Sequence, residues 1–174
     1  MTFPALLPDV ICINAANGNG LPLDLNPPAR AGKQLAILGE NVESAWKCEP
    51  GSNNTLKSKT GTSVATPIAA AVAALMLEIA MMPSNGAAED IFQRCLPYMR
   101  TYLGMTAILG DMAEERNSFL TIFPWKCLYH DKTSGEGGGD EFERTMLRLA
   151  YNSEQVLRQV YGQLSALPNE HQSS

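Results

Sequence analysis

The residues best placed to do chemistry lie in one short segment, residues 61–67, where a serine follows a glycine at the start of a long apolar stretch. A serine hydroxyl is a weak nucleophile at neutral pH and needs a base to accept its proton. At the amino end of a helix, free backbone N–H groups and the helix dipole can stabilise an oxyanion. Ser63 is therefore a candidate nucleophile for acyl transfer. Alternatively, Thr62 and Ser63 only cap a buried helix, which accounts for the pair but not for the whole segment.

The base that Ser63 would need is not evident in the sequence. The two histidines, His130 and His171, both follow the serine. His130 lies in the turn-like segment Leu-Tyr-His-Asp-Lys and His171 in a polar tail, so we expect both to be solvated surface side chains. Asp9 and Asp24 are the aspartates that precede the serine.

A second motif to weigh is the G-x-S-x-G elbow of α/β-hydrolases. Ala65 stands where that motif has its final glycine, and the elbow requires a buried strand directly before the serine. Residues 57–60, Lys-Ser-Lys-Thr, are too polar to form a buried strand. We therefore reject this motif.

Apolar runs around the serine predict the elements that must position it. Residues 10–15 have the continuous apolar character of a buried parallel strand, residues 35–39 predict a second strand, and residues 42–46 a third near an edge. Residues 68–82 are apolar except for Glu78, which predicts a core helix surrounded by protein. This run is shorter than the ~20 residues that span a bilayer, so we expect no membrane partner.

The rest of the chain has a different character. Residues 87–103 predict a helix disturbed at Pro97, and residues 105–115 predict another. Residues 135–139 are a glycine-rich loop, and residues 140–167 show the three-to-four spacing of an amphipathic helix.

Composition indicates a globular protein, with 45% hydrophobic and 18% charged residues in 174. The net charge of -5 argues against nucleic acid or an anionic membrane as the main partner. No secretory leader is recognisable at the amino end, which predicts a cytoplasmic protein with buried free thiols. The cysteines are widely scattered, at Cys12, Cys48, Cys95 and Cys127.

The serine segment, Gly-Thr-Ser-Val-Ala-Thr-Pro, resembles the nucleophile motif G-T-S-x-A-[ST]-P of subtilisin-like serine proteases (subtilases, peptidase family S8). A chance match in a chain of this length has odds of about 10⁻⁵. Further segments, among them residues 9–15, 42–46 and 61–78, are similar to the C-terminal part of the catalytic domain in intracellular fungal subtilisin-like proteins.

The resemblance implies a fold of the α/β class, a three-layer α/β/α subtilisin-like arrangement with a mostly parallel sheet. Only the C-terminal half of that fold is expected here, with additional C-terminal helices. The implied organisation is a portion of the peptidase domain over residues 1–130, a glycine-rich loop over 131–139, and an amphipathic helix with a polar tail over 140–174.

Only Ser63 matches the catalytic motifs that the resemblance implies. The family triad runs in the order Asp, His, Ser, but neither Asp9 nor Asp24 begins a D-[ST]-G segment, and no histidine lies in an H-G-T segment. The resemblance implies that the family's oxyanion asparagine lies before the strand at residue 10, so we expect this sequence to start just after it. We expect the asparagines beyond that strand to be loop residues: Asn14, Asn17 and Asn19.

Two smaller points concern packing and metals. Ala71 stands where the family usually has glycine in its central helix, and an extra methyl at a tight helix–sheet contact would cost about 1 kcal/mol. Calcium is common in subtilases, but no clustered carboxylate loop is visible. We therefore predict no cofactor and no metal site and leave calcium open.

Two functions remain open. The first is a serine endopeptidase with Ser63 as nucleophile, inactive alone and acting on peptide or protein substrates when an N-terminal half completes it. In subtilisin, loss of the histidine alone costs about 10⁶ in rate. The second is a non-catalytic subtilase remnant that acts as an interaction or scaffold module. In either case we expect self-association through an exposed sheet edge.

Overall fold

The computed structural model describes residues 7–28, 34–47, 56–82, 86–127, 141–162 and 164. By its internal contacts the chain divides into two compact units. The first comprises Met1–Ala73 and Met112–Pro124, and the second comprises Ala74–Asp111 and Trp125–Ser174. The domain boundaries expected near residues 130 and 140 fall outside the described residues and stay predictions.

The first unit contains two sheets. The strands are β1 (Ile13–Ala16), β2 (Gln34–Leu38), β3 (Val42–Ala45), β4 (Leu56–Lys59), β5 (Ala113–Arg116) and β6 (Phe119–Ile122). The larger sheet has the order β1-β2-β6-β5, in which β1, β2 and β6 are parallel and β5 is antiparallel to β6. Ala16, Ala36 and Phe119, one from each parallel strand, form a buried apolar cluster. The predicted α/β class with a mostly parallel sheet is confirmed.

The hairpin of β5 and β6 corrects one predicted helix. Residues 105–115 were expected to be helical throughout, but the helix ends at Asp111 and residues 113–116 form β5. Asn117 and Ser118 join the two strands with φ angles of 47° and 68°. Positive φ at both central residues is typical of a two-residue hairpin turn. Strand pairing has therefore overridden the helical preference of the glutamates in this segment.

The outer edge of β1 is closed by a side chain. Asn26 accepts a hydrogen bond from the Ala15 N–H at 2.9 Å and donates its amide to the Ala15 carbonyl at 2.7 Å. Leu23 N–H also donates to that carbonyl at 3.0 Å. The segment after β1 thus substitutes, at this position, for a neighbouring strand.

The smaller sheet is the antiparallel hairpin of β3 and β4, in which Val42 faces Lys59 and Ala45 faces Leu56. The strand predicted at residues 42–46 is confirmed over Val42–Ala45. β4 covers part of the polar segment that was not expected to form a buried strand, and its first three residues are exposed. The requirement of an α/β-hydrolase elbow for a buried strand before the serine is therefore still unmet.

The serine helix, α1 (Thr62–Met81), is longer and less covered than its sequence predicts. Its 20 residues exceed the apolar run and suffice, by length and composition alone, to cross a membrane, so the length argument against a span was wrong. Its buried stripe is Ala65, Ala69, Met76 and Ala80. The expectation of a helix surrounded by protein is also wrong, since only 28% of an 18-residue apolar segment of α1 is buried. No described residues cover its other side, which exposes Ser63, Thr66, Pro67, Ala70, Ala71, Ala74, Leu75, Glu78 and Met81.

The second unit contains the helices α2 (Ala87–Met99), α3 (Tyr102–Asp111) and α4 (Glu141–Tyr161), which pack on one another. A short 3-10 helix covers Pro124–Cys127. The helix predicted at residues 87–103 is instead two helices, because α2 continues through Pro97, ends at Met99, and is followed by α3 from Tyr102. Thr101 then caps α3, because its Oγ1 accepts a hydrogen bond from the Gly104 N–H at 3.0 Å. The fully buried side chains of this unit include Phe92, Met99, Leu109 and Leu157.

A buried carboxylate joins two of these helices. Glu154 of α4 has a side chain only 8% exposed, and its Oε1 lies 3.4 Å from Arg94 of α2 and 2.9 Å from Arg158 of α4. Burial alone would raise the pKa of Glu154. The hydrogen bonds and positive charges of Arg158 and Arg94 outweigh it, so the pKa lies below its usual value.

Candidate active site

Ser63 is the second residue of α1 and its side chain is exposed. The chain reaches it from β4 through Gly61, whose φ of 147° is a conformation that favours glycine. The Gly61 N–H donates to the Gly39 carbonyl at 2.8 Å. Its carbonyl accepts the first helical bonds, from Val64 N–H at 3.0 Å and Ala65 N–H at 3.1 Å. The turn before the serine is therefore fixed to the end of β2.

Close packing at Gly39 holds this turn against the sheet. A β-carbon at Gly39 would lie 2.8 Å from the Ala15 Cβ and 3.0 Å from both the Ala65 Cβ and the Gly61 carbonyl oxygen. The Gly39 N–H donates a hydrogen bond to the Ala16 carbonyl oxygen at 2.9 Å. Because these residues follow or end β1 and β2, Ser63 stands at the carboxyl ends of two parallel strands, where ligands of α/β sheets commonly bind.

The first turn of α1 offers hydrogen-bond donors. Val64 and Ala65 donate to Gly61, whereas in the described part of the chain the N–H groups of Thr62 and Ser63 have no acceptor. Unpaired N–H groups at a helix start, together with the helix dipole, favour negative charge nearby. This arrangement could stabilise an oxyanion next to the serine.

The structure brings no base to Ser63. Within the described residues its hydroxyl has no hydrogen-bond partner, and these residues include no histidine, because His130 and His171 lie outside them. Asp9 and Asp24 are exposed, and neither hydrogen-bonds to Ser63. A serine without a proton acceptor is not an activated nucleophile.

The expectation that Asn14 is a loop residue was wrong. Asn14 lies inside β1, is buried, and donates its amide to the Leu35 carbonyl at 3.1 Å. Asn17 follows the strand, and its Oδ1 accepts hydrogen bonds from the N–H groups of Asn19 and Leu21, both at 3.0 Å. Asn14 and Asn17 are thus already engaged in structural hydrogen bonds.

Within the described residues, no close contact imposes the packing cost expected at Ala71. Ala71 lies on the exposed side of α1, with no described element over it, so its methyl group meets no tight helix–sheet contact. The sequence argument assumed a helix covered on all sides.

Cys95 is too buried to act as a second nucleophile. Cys12, Cys95 and Cys127 are free thiols, of which only Cys95 is buried, and Cys48 lies outside the described residues. Burial, aided by the charge of Glu154, raises the pKa of Cys95 to about 11, so this thiol stays protonated. No group of three or more His, Cys, Asp or Glu side chains that could hold a metal ion occurs in the described residues.

Sequence reasoning missed an aromatic and cationic surface on the β3–β4 hairpin. Lys57 and Lys59 both lie over the ring of Trp46. Their spacing of two residues would have indicated a shared strand face, had the polar segment been interpreted as an exposed strand.

Comparison with known proteins places the chain in a family. The model of the subtilase family (peptidase S8) matches residues 2–143, most of the chain, and α1 and Ser63 lie inside the match. The chain belongs to the subtilase family, which is a family of serine-type hydrolases that act as proteases. Neither the curated proteins nor the solved structures gave a match.

Proposed function

We propose that this chain is the C-terminal part of the catalytic domain of a subtilisin-like serine endopeptidase, with Ser63 as its nucleophile. The observation that carries the proposal is the position of Ser63, exposed in the first turn of α1 and fixed to the end of β2 through Gly61 and Gly39. Unpaired N–H groups beside it supply the electrostatic environment that acyl transfer requires.

The proposed enzyme is inactive as this chain alone. The described residues supply no base for the Ser63 proton, and the side chains of Asn14 and Asn17 are engaged elsewhere. We propose that a segment with the family's D-[ST]-G and H-G-T motifs completes the site, either from sequence upstream of residue 1 or from another polypeptide. That segment would also cover the exposed side of α1.

The test uses an activity-based fluorophosphonate probe, which labels only activated serines. The chain alone is expected to remain unlabelled. The chain joined to its upstream coding sequence, or mixed with a polypeptide that carries the two motifs, is expected to be labelled at Ser63. Ser63→Ala should abolish labelling, whereas Ser58→Ala, which alters an exposed serine of β4, should retain it.

Two outcomes would contradict the proposal. Labelling of the lone chain at Ser63 would mean that its own residues, such as His130, supply the base. A completed chain that binds its partner segment but never reacts with the probe would favour the non-catalytic remnant instead.

We further propose that α1 is a helix of the peptidase domain rather than a membrane span, and that the protein acts in the cytoplasm without a cofactor. The position of α1 inside the family match supports this. In cell fractionation the protein should stay in the supernatant after ultracentrifugation. Retention in the membrane pellet after alkaline carbonate extraction would contradict the proposal.

A further inference from the structure

The β3–β4 hairpin carries a cationic and aromatic surface that the proposed catalysis does not use. Trp46 directly follows β3 and is 46% exposed. Lys57 Nζ lies 5.1 Å and Lys59 Nζ 4.4 Å from the centroid of its ring, which is the range of cation–π contacts. We name these three residues the hairpin cluster.

Strand geometry places the positive charge on one face of the hairpin. Lys57 and Lys59 are two positions apart in β4, so both side chains leave the same face, over the Trp46 ring. Glu43 pairs with Ser58, whose side chain points to the opposite face, so this nearby carboxylate does not neutralise the cluster. Within the described residues, neither lysine forms an ion pair.

The ring holds two like charges close together. Because both ammonium groups contact one ring, their nitrogens lie within about 10 Å of each other, close to the Debye length at 0.1 M salt. The charges therefore repel each other, and a bound anion would relieve that repulsion. Both ammonium groups already lie over one ring, which places them together for a bound anion.

The hairpin cluster is close to the candidate nucleophile along the chain. β4 leads into α1 through Thr60 and Gly61, so Lys59 lies four positions before Ser63. Four residues of chain span at most about 14 Å. The Asn41 N–H donates to Thr60 Oγ1 at 2.9 Å, which fixes this connection to the loop after β2.

We infer that the hairpin cluster binds acidic side chains of a peptide substrate, within about six residues of the bond that Ser63 attacks, since Lys57 and Lys59 lie six and four positions before Ser63. The identity of the bound peptide as substrate rests on the proposed function. An acidic peptide fits better than a nucleic acid, because the cluster offers two positive charges and the chain as a whole is not basic, whereas a nucleic-acid interface depends on many phosphate contacts. Two lysines also match a few carboxylates rather than the six to ten phosphates that a nucleic-acid interface commonly engages.

A binding experiment tests this inference without catalysis. The full chain with Ser63→Ala and Trp125→Phe keeps Trp46 as its one tryptophan, since the sequence contains two. Its emission is followed during titration with an alternating Glu-Gly peptide and with the matching Gln-Gly peptide. At 50 mM salt the acidic peptide should bind at least about 10-fold more tightly, and the difference should shrink at 0.5 M salt.

Charge-matched variants provide the controls. Lys57→Gln with Lys59→Gln should remove the preference for the acidic peptide. Arg100→Gln with Lys126→Gln removes the same charge from exposed positions of the second unit and should retain the preference. Equal binding of both peptides, or a preference that survives the Lys57 and Lys59 changes, would overturn the inference. So would tighter binding of an oligothymidylate of equal charge, which would instead favour nucleic acid.

Kinetics of the completed enzyme separate this inference from the proposed function. Acidic peptides should show a kcat/KM about 10-fold above that of neutral ones, and the Lys57 and Lys59 changes should lower only the former. Cleavage without any acidic preference would overturn the inference while the proposed function stands. Acidic binding without any cleavage would overturn the role of the peptide as substrate, together with the proposed function.

Discussion

At the scale of single residues, the position of Ser63 depends on glycines that allow backbones to approach. Gly61 supplies a positive φ before α1, and Gly39 has no side chain at the point where β1, the serine turn and α1 meet. The sequence motif includes Gly61 but not Gly39, which lies 24 positions before the serine by residue number. Only the structure reveals that both glycines position the same hydroxyl.

Substitution of Gly39 by alanine should be destabilising. Its new methyl group would lie 2.8 Å from the Ala15 Cβ and 3.0 Å from backbone oxygen of Gly61, so the serine turn must shift. We expect a loss of about 1–3 kcal/mol in the free energy of unfolding, measured by urea denaturation. Gly18→Ala is the matched control, because a β-carbon there meets nothing within 4 Å. Equal stability of the two variants would refute the close approach.

At the scale of elements, the sequence predicted the strands and helices that have strong local patterns. It did not predict the strands whose conformation depends on pairing with another strand. β1, β2 and α1 follow from apolar runs and from the serine motif. β4 and β5 are polar, and their strand conformation arises from partners distant in sequence or across a turn, which periodicity does not reveal. For the same reason, Ser63 is the one residue of the candidate site that the sequence predicted. Gly39 and Ala15, which pack at the serine turn, come from separate segments of the chain.

The two ion pairs of Glu154, one to Arg94 of α2 and one to Arg158 within α4, should make the second unit sensitive to acid. Because the folded state lowers the pKa of Glu154, its stabilising contribution is present above the unfolded pKa of about 4.3 and is lost as pH falls through the folded pKa. Glu154→Gln should therefore lower stability near pH 7 and flatten its fall in acid, as followed by urea unfolding across pH. We expect a loss of about 1–2 kcal/mol, since both arginines are half exposed.

An exposed ion pair provides the matching control for the Glu154 substitution. Glu114 forms an ion pair with Arg116 at 2.7 Å, in which both side chains are well solvated. Glu114→Gln should change stability by less than about 0.5 kcal/mol. A pH profile of Glu154→Gln that parallels the unaltered chain would show that the buried carboxylate contributes nothing to acid sensitivity.

At the scale of the whole molecule, the exposed side of α1 is an apolar surface that needs an explanation. Leu75 is 61% exposed and Met81 44% exposed, on a helix in which Glu78 is the one charged residue. Apolar surface of this kind commonly marks an interaction site or an aggregation hazard. The sequence indicated how apolar the helix is but could not show which side would remain uncovered.

Leu75→Glu should therefore reduce self-association of the lone chain without unfolding it. The side chain is exposed, so we expect the free energy of unfolding to change by no more than about 0.5 kcal/mol. Sedimentation velocity would show a shift toward monomer. The neighbouring Met76 is 5% exposed, and Met76→Glu should instead destabilise the fold by about 3 kcal/mol or more. If Leu75→Glu associates as strongly as the unaltered chain, the exposed side of α1 does not drive self-association, and a sheet edge is the alternative surface.

The side chain of Asn26 sets a limit on how any completing polypeptide can join the sheet. Ala15 already uses both its N–H and its carbonyl on that flank of β1, so an incoming strand must stop short of this residue. A strand added on this flank can therefore pair with β1 only outside Ala15, unless the Asn26 side chain first gives up both of its hydrogen bonds.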